Sequence, residues 1–134
     1  MAERQALTLS HSFAAPIAAV WRALTEPALL AQWWGAGNIA PVVGHTFSVD
    51  MGGWGQPLCV VQEVDEPNRL AYSFGPDWTL TWRLEPTEDG TRLTLVHAGF
   101  DLADPRSAFA YENMGKGWSQ VVFVRLAQLL ATPM

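Results

Sequence analysis

The sequence predicts an α+β fold in which an antiparallel sheet of six strands curls around one long C-terminal helix. Six separate stretches have strand patterns, and in several of them apolar and polar residues alternate with a period of two, which is typical of half-buried strands. Two short helical patterns follow the first stretch, and a proline-free helical pattern runs from residue 106 to about 131. Antiparallel strands with helices segregated to one side are typical of the α+β class.

The first strand is predicted at residues 5–13, where "QALTLSHSF" alternates. In "AAPIAAVWRALTEP" (14–27), apolar residues recur at three- and four-residue steps, and Pro16 suits a first helical turn. A second short helix, "PALLAQWW" (27–34), is stopped by Gly35. Two tryptophans therefore stand side by side on the last turn of a short helix.

Strand periodicity returns near residue 44, and Gly, Pro, Asn and Asp residues mark the turns between the strands. A hairpin turn is predicted at "GGWG" (52–55). The five predicted strands are "HTFSVDM" (45–51), "LCVVQEV" (58–64), "RLAYSF" (69–74), "TLTWRLEP" (79–86) and "TRLTLVHAGF" (91–100).

The final helix is predicted to place one broad apolar face against the sheet. Gly115 and Gly117 lie inside it and cost about 1 kcal/mol each relative to Ala, so they indicate a close approach or a bend. The predicted face comprises Phe109, Met114, Trp118, Val121, Val122, Leu126, Leu129 and Leu130.

Composition excludes several classes of function. The chain is 49% hydrophobic and 16% charged, which is typical of a globular protein, and it shows no repeat or linker, so one domain (1–134) is predicted. The net charge is −5 with scattered basic residues, which argues against nucleic acid as a partner. No apolar run approaches the roughly 18 residues of a membrane span, and no signal peptide is evident. The single Cys59 excludes an internal disulfide and indicates a cytoplasmic location.

No motif for a metal, a cofactor or a catalytic nucleophile is found. The three histidines show no short ligand spacing, and there is no G-x-S-x-G, P-loop or G-x-G-x-x-G motif. We therefore predict no metal, no cofactor and no catalytic residue. His97 is the best candidate for acid–base chemistry because it is predicted to face inward, but the favoured interpretation is a neutral core histidine bonded to backbone.

Four strings along the chain resemble the START-like superfamily of helix-grip proteins, in particular the bacterial homologues of the heat-shock-protein-90 ATPase activator. They are "FAAPIAAVWRALTEPALLAQWWG" (13–35), "VVQEVDEPNRLAYSF" (60–74), "GTRLTLVHAGF" (90–100) and "GWSQVVFVRLAQLL" (117–130). The resemblance implies a curved six-stranded sheet that grips the C-terminal helix, with an apolar cavity between them. This fold serves lipid carriers, cyclases, hormone receptors and co-chaperone modules, so it leaves the function open.

The preferred hypothesis is a binding protein for a small hydrophobic, aromatic or lipid-like molecule held in that cavity. One of Trp33 and Trp34 is expected under the helix and the other at the cavity mouth, but periodicity does not decide which. The two rings either close the end of the sheet or form a gate that touches the ligand. The predicted ligand-binding residues are Trp33, Trp34, Phe47, Tyr72, Trp82, His97, Tyr111, Met114, Trp118 and Val122.

Two alternatives remain open. One is a cyclase- or hydrolase-like enzyme acting on a polyketide-like substrate, with His97, Tyr72 or Tyr111 as proton donor. The other is a co-chaperone-type domain with an unidentified protein partner, which would need an exposed apolar patch on the outer sheet face. Polar side chains at the outer positions of the fifth and sixth strands argue against such a patch.

Overall fold

The computed structural model describes residues 4–50, 55–75 and 77–131. It contains an antiparallel sheet in the order β1-β6-β5-β4-β3-β2. Each strand from β3 to β6 pairs with the strand before it, and β1 pairs with β6. The strands are β1 (Arg4–Phe13), β2 (Thr46–Ser48), β3 (Leu58–Asp65), β4 (Arg69–Phe74), β5 (Trp78–Pro86) and β6 (Thr91–Asp101).

Two short helices follow β1, and a long helical segment follows β6. The helices are α1 (Ile17–Thr25), α2 (Pro27–Trp33), α3 (Pro105–Gly117) and α4 (Phe123–Ala131), with a π-helical segment (Trp118–Val122) between α3 and α4. This confirms the predicted α+β helix-grip architecture. The observed β2 is shorter than predicted, and residues 52–54 of the predicted "GGWG" turn lie outside the described residues.

The helix ends follow from local chemistry. Pro27 occupies the first turn of α2, where its missing N–H costs nothing, and the Trp34 N–H closes the helix on the Leu30 carbonyl at 2.9 Å. Asp104 caps α3, because its side chain accepts a hydrogen bond from the Arg106 backbone N–H at 3.0 Å. These ends fix where the chain passes from the sheet to each helix.

A bulge in β6 changes which side chains face the helix. Leu95 and His97 are buried, as strand alternation predicts. Gln5 then pairs with Phe100 and Ala6 with Ala98, so Gly99 is the extra residue. Gly99 has φ +106°, a conformation that L side chains rarely adopt. The bulge reverses the alternation, and Phe100 is buried on the same side as His97.

The π-helical segment changes the face of the long helix in the same way. Trp118 and Phe123 are buried, five residues apart, and Leu126 continues the buried row. The extra residue in the π turn moves Val121 outward, where it is 45% exposed. Phe109 is also on the surface, with 60% exposure. The predicted apolar face was therefore wrong at these two positions.

The glycines of this helix differ in their surroundings. A Cβ on Gly117 would meet nothing within 4 Å, so no other part of the described structure packs closely against this glycine. A Cβ on Gly115 would meet only the Leu7 side chain, at 3.4 Å. The change from α to π geometry begins immediately after Gly117, at Trp118.

Candidate functional site: an aromatic cluster between sheet and helix

Trp33 and Trp34 have different surroundings. Trp33 is 0% exposed, and its indole N–H donates to the Ala23 carbonyl at 2.8 Å, which ties α2 to α1. Trp34 is half-buried and packs on Phe74 of the sheet and Trp118 of the π-helical segment, with ring centroids 5.7 and 5.2 Å away. Trp33 is thus a core residue, and Trp34 lies at the edge between sheet and helix.

A first buried pair, in which a tryptophan donates a hydrogen bond to a tyrosine, lies within the sheet. The Trp82 indole N–H donates to the Tyr72 hydroxyl at 2.8 Å, and both side chains are buried. Phe47 of β2 packs edge-on against Tyr72 at 5.0 Å. Burial raises the pKa of Tyr72 well above its ordinary value, so the phenol is neutral.

A second buried pair joins the helix to the sheet. The Trp118 indole N–H donates to Nδ1 of His97 at 3.1 Å, and His97 is 0% exposed. Burial lowers the pKa of His97 to about 3, so the imidazole is uncharged near neutral pH. The expectation that His97 bonds to backbone is wrong, because its partner is a helix side chain.

The other nitrogen of His97 has no hydrogen-bond partner within the described part of the chain. Nε2 is buried, and the imidazole is enclosed by four aromatic rings. Their centroids lie 4.5–6.1 Å from that of the imidazole, and the rings belong to Phe74, Trp78, Phe100 and Trp118.

Three half-buried rings cover this end of the cluster: Trp34, Trp78 and Tyr111, which we call the rim. Trp78 packs on Phe74 and on Phe100, with centroids 6.0 and 5.0 Å away. Tyr111 of α3 packs edge-on against Phe100 at 5.3 Å. Each rim ring therefore packs either on the imidazole of His97 itself or on one of the rings that enclose it.

The structure brings most of the predicted ligand-binding residues into this one cluster, with Trp33, Phe47, Tyr72 and Trp82 forming its buried side. Met114 and Val122 are partly buried against the same core.

Three residues of the cluster were not predicted from the sequence: Phe74, Trp78 and Phe100. Phe74 continues the alternation of Leu70 and Tyr72, and Trp78 shares the alternation of Trp82, so both could have been found. Phe100 carried no such signal, since the Gly99 bulge reverses the alternation.

A separate cavity of about 320 Å³ lies between α1, α2 and the end of α4. None of the predicted ligand-binding residues lines it. Its walls are Ala14, Ala15, Pro16, Ala19, Arg22, Ala23, Leu29, Leu129 and Leu130.

Within residues 4–50, 55–75 and 77–131, no group of three His, Cys, Asp or Glu side chains is placed to hold a metal ion. In the same ranges, no helix combines the length and apolar character needed to cross a membrane.

A six-stranded antiparallel sheet, two short helices after its first strand and a long C-terminal helical segment define a START-like, helix-grip protein. Residues 14–131 match the family described as Activator of Hsp90 ATPase homolog 1-like protein, and the chain belongs to this family. The resemblance found in the sequence is thereby confirmed.

Solved structures share the fold over nearly the whole chain. Protein MLL2253 from Mesorhizobium loti is 30% identical, with a TM-score of 0.85 over 97% of this chain and 100% of that one. BH1534 from Bacillus halodurans is also 30% identical, with a TM-score of 0.84 over 97% and 99%. DynU16, from the dynemicin biosynthetic locus, is 28% identical, with a TM-score of 0.80 over 95% of this chain and 47% of DynU16. A comparison with curated proteins gave no significant match.

Proposed function

We propose that this protein binds a small hydrophobic or aromatic molecule between its sheet and its C-terminal helix, beneath the rim. One observation carries the proposal: three half-buried aromatic rings cover a buried aromatic cluster that contains Nε2 of His97, a polar atom with no hydrogen-bond partner in the described residues. Apolar walls with a few placed polar groups are typical of small-molecule sites. The likeness to DynU16, a protein of a biosynthetic locus, supports a small-molecule ligand.

Trp34 is the proposed gate. It stands between the sheet and the helix, and it contacts Phe74, Trp82 and Trp118. Its partial exposure allows its ring to move without opening the fully buried layer beneath. Trp33 cannot serve this role, because its indole is bonded to the Ala23 carbonyl in the core.

Acid–base catalysis is a weaker candidate because burial moves the pKa values of two of its three proposed groups, His97 and Tyr72, further from neutral pH. A general acid or base works best when its pKa lies near the operating pH. Burial moves the pKa of His97 down to about 3 and that of Tyr72 upward. Both groups thus remain neutral hydrogen-bonding groups, which suits binding better than proton transfer.

A protein-binding role is the second candidate, and one surface favours it. Outer positions such as Arg83 and Arg92 are exposed and polar, as predicted. Near the β2–β3 edge, however, several large apolar side chains are exposed. They are Val42, Val43, Leu58 and Val60.

Native mass spectrometry of freshly purified protein, followed by titration with planar apolar compounds, tests the proposed function. We expect a co-purified small molecule, quenching of tryptophan emission and a higher melting temperature with bound ligand. The Trp34→Ala variant should weaken binding by about tenfold, since it removes one wall of the site. Phe109→Ala is the matched control, because it removes an exposed aromatic ring from the long helix.

If no compound of a broad apolar library changes the emission or the melting temperature, the proposal fails. Equal loss of binding in the Trp34 and Phe109 variants would contradict the assigned place of the site. The proposal includes a cytoplasmic location, which the single, buried Cys59 supports.

A further inference from the structure

We infer that the ligand carries a hydrogen-bond acceptor, such as a ketone or quinone oxygen on a planar ring system, and that Nε2–H of His97 donates to it. This inference rests on the proposed function and deepens it. It assigns to His97 a specific role in recognising one chemical class of ligand.

The tautomer of His97 follows from its partner. An indole N–H donates and cannot accept, so the Nδ1 atom that faces Trp118 must be unprotonated. The proton of a neutral imidazole then sits on Nε2. His97 therefore presents a donor at the one ring nitrogen that has no partner in the described residues.

Such a donor is unusual in a protein interior. Buried polar groups are nearly always hydrogen-bonded, and leaving one unpaired is costly. The rings nearest to His97 belong to Phe74, Trp78 and Phe100. They offer aromatic faces and edges and, in Trp78, an indole N–H that cannot accept a hydrogen bond. A weak N–H contact with a ring face recovers only part of a full hydrogen bond.

The chemistry of the surroundings defines the complementary ligand. Because the free group of His97 is a donor, the ligand must supply an acceptor. Because flat rings enclose the imidazole at 4.5–5.6 Å between centroids, the acceptor must stand on a flat apolar body. A charged acceptor would lose its hydration in this apolar site, so a neutral carbonyl fits best.

A matched pair of probes tests the inference in the unaltered protein. Fluorene and fluorenone share one planar skeleton, and only fluorenone carries a carbonyl oxygen. We expect both to bind, with the Kd of fluorenone lower by about tenfold, as one buried hydrogen bond provides. NMR of protein with isotope-labelled histidine should show the Hε2 resonance of His97 moving downfield with fluorenone and not with fluorene.

Two substitutions distinguish the roles of Nδ1 and Nε2 of His97. His97→Gln places an amide N–H near the position of Nε2, so it should keep the preference for fluorenone. His97→Asn keeps an acceptor near Nδ1 for Trp118 but has no donor at Nε2, so it should bind the two probes equally. Because the probe pair is also measured in the unaltered protein, loss of fold in either variant does not decide the question.

The outcomes are distinct. Equal binding of both probes by the unaltered protein overturns the inference and leaves the proposed function standing, because it shows that the aromatic faces satisfy Nε2–H. Failure of both probes to bind contradicts the inference and the proposed planar ligand together. A preference for fluorenone without movement of the His97 resonance also overturns it, since another group would then bind the carbonyl.

Discussion

Two buried tryptophans, Trp82 and Trp118, each donate an indole N–H to a buried side chain, but the two hydrogen-bonded pairs have different roles. Trp82 and Tyr72 lie on adjacent strands of one sheet, and their 2.8 Å bond stays within that layer. Trp118 and His97 lie on different layers, and their 3.1 Å bond joins the helix to the sheet. Nε2 of His97 is left without a partner in the described residues. The first pair therefore completes the sheet, whereas the second positions a free donor.

The largest expected loss of stability tests the pair formed by Trp118 of the helix and His97 of the sheet. Trp118→Ala should lower the free energy of unfolding by about 3–5 kcal/mol, because it removes a buried aromatic ring. It also removes the bond from the helix to His97. Urea and thermal unfolding measure this loss, and Trp118→Phe should recover most of it by keeping the ring. A melting temperature within a degree or two of the parent would show that the ring does not belong to the core.

The second effect tests the bulge that brings Phe100 beside His97. Gly99→Ala should destabilise the fold by about 3 kcal/mol, the upper end for a strained backbone. The added Cβ would collide with the Asp77 carbonyl, and φ is +106°. Gly117→Ala is the control: its Cβ meets nothing within 4 Å, so it should stabilise the helix by up to about 1 kcal/mol. Equal effects at the two glycines would contradict the bulge.

The Gly99 bulge in β6 and the π turn at Trp118–Val122 explain where prediction from the sequence succeeded and where it failed. Alternation correctly placed Trp82 and His97 inward, because a regular strand repeats every two residues. It failed at Phe100, and the helical repeat failed at Val121, because a bulge and a π turn each insert one residue. Neither insertion changes the hydrophobic pattern enough to be recognised beforehand. The partner of His97 was missed for a different reason, since the bond between His97 and Trp118 depends on packing between the helix and the sheet.

The third expected effect is a dependence of stability on pH, which arises from His97 in the pair with Trp118 and not from the pair of Trp82 and Tyr72. The pKa of His97 falls from 6.5 to about 3 on folding. The unfolded chain therefore binds the extra proton first, and stability is lost as the pH falls below 6.5 towards 3. The loss is about 1.4 kcal/mol per pH unit, or about 2 kcal/mol at pH 5.

Denaturant unfolding at pH 7 and pH 5 measures this loss, and the His97→Gln variant should lack it. His11→Gln is the matched control, because His11 is exposed at the surface, and it should keep the loss. A His97→Gln variant with the full pH dependence of the parent would show that other groups cause it.

The smallest expected effect concerns the pair within the sheet. Tyr72→Phe should lower the free energy of unfolding by about 1 kcal/mol, the low end of the cost of an unpaired buried donor, because the ring that fills the space remains. The Trp82 N–H is the donor that loses its acceptor. The ratio of the Kd values for fluorene and fluorenone should stay unchanged, since Tyr72 is bonded within the sheet and His97 supplies the free donor. A changed ratio would show that the Tyr72 hydroxyl also contacts the ligand, and the two pairs would then form one site.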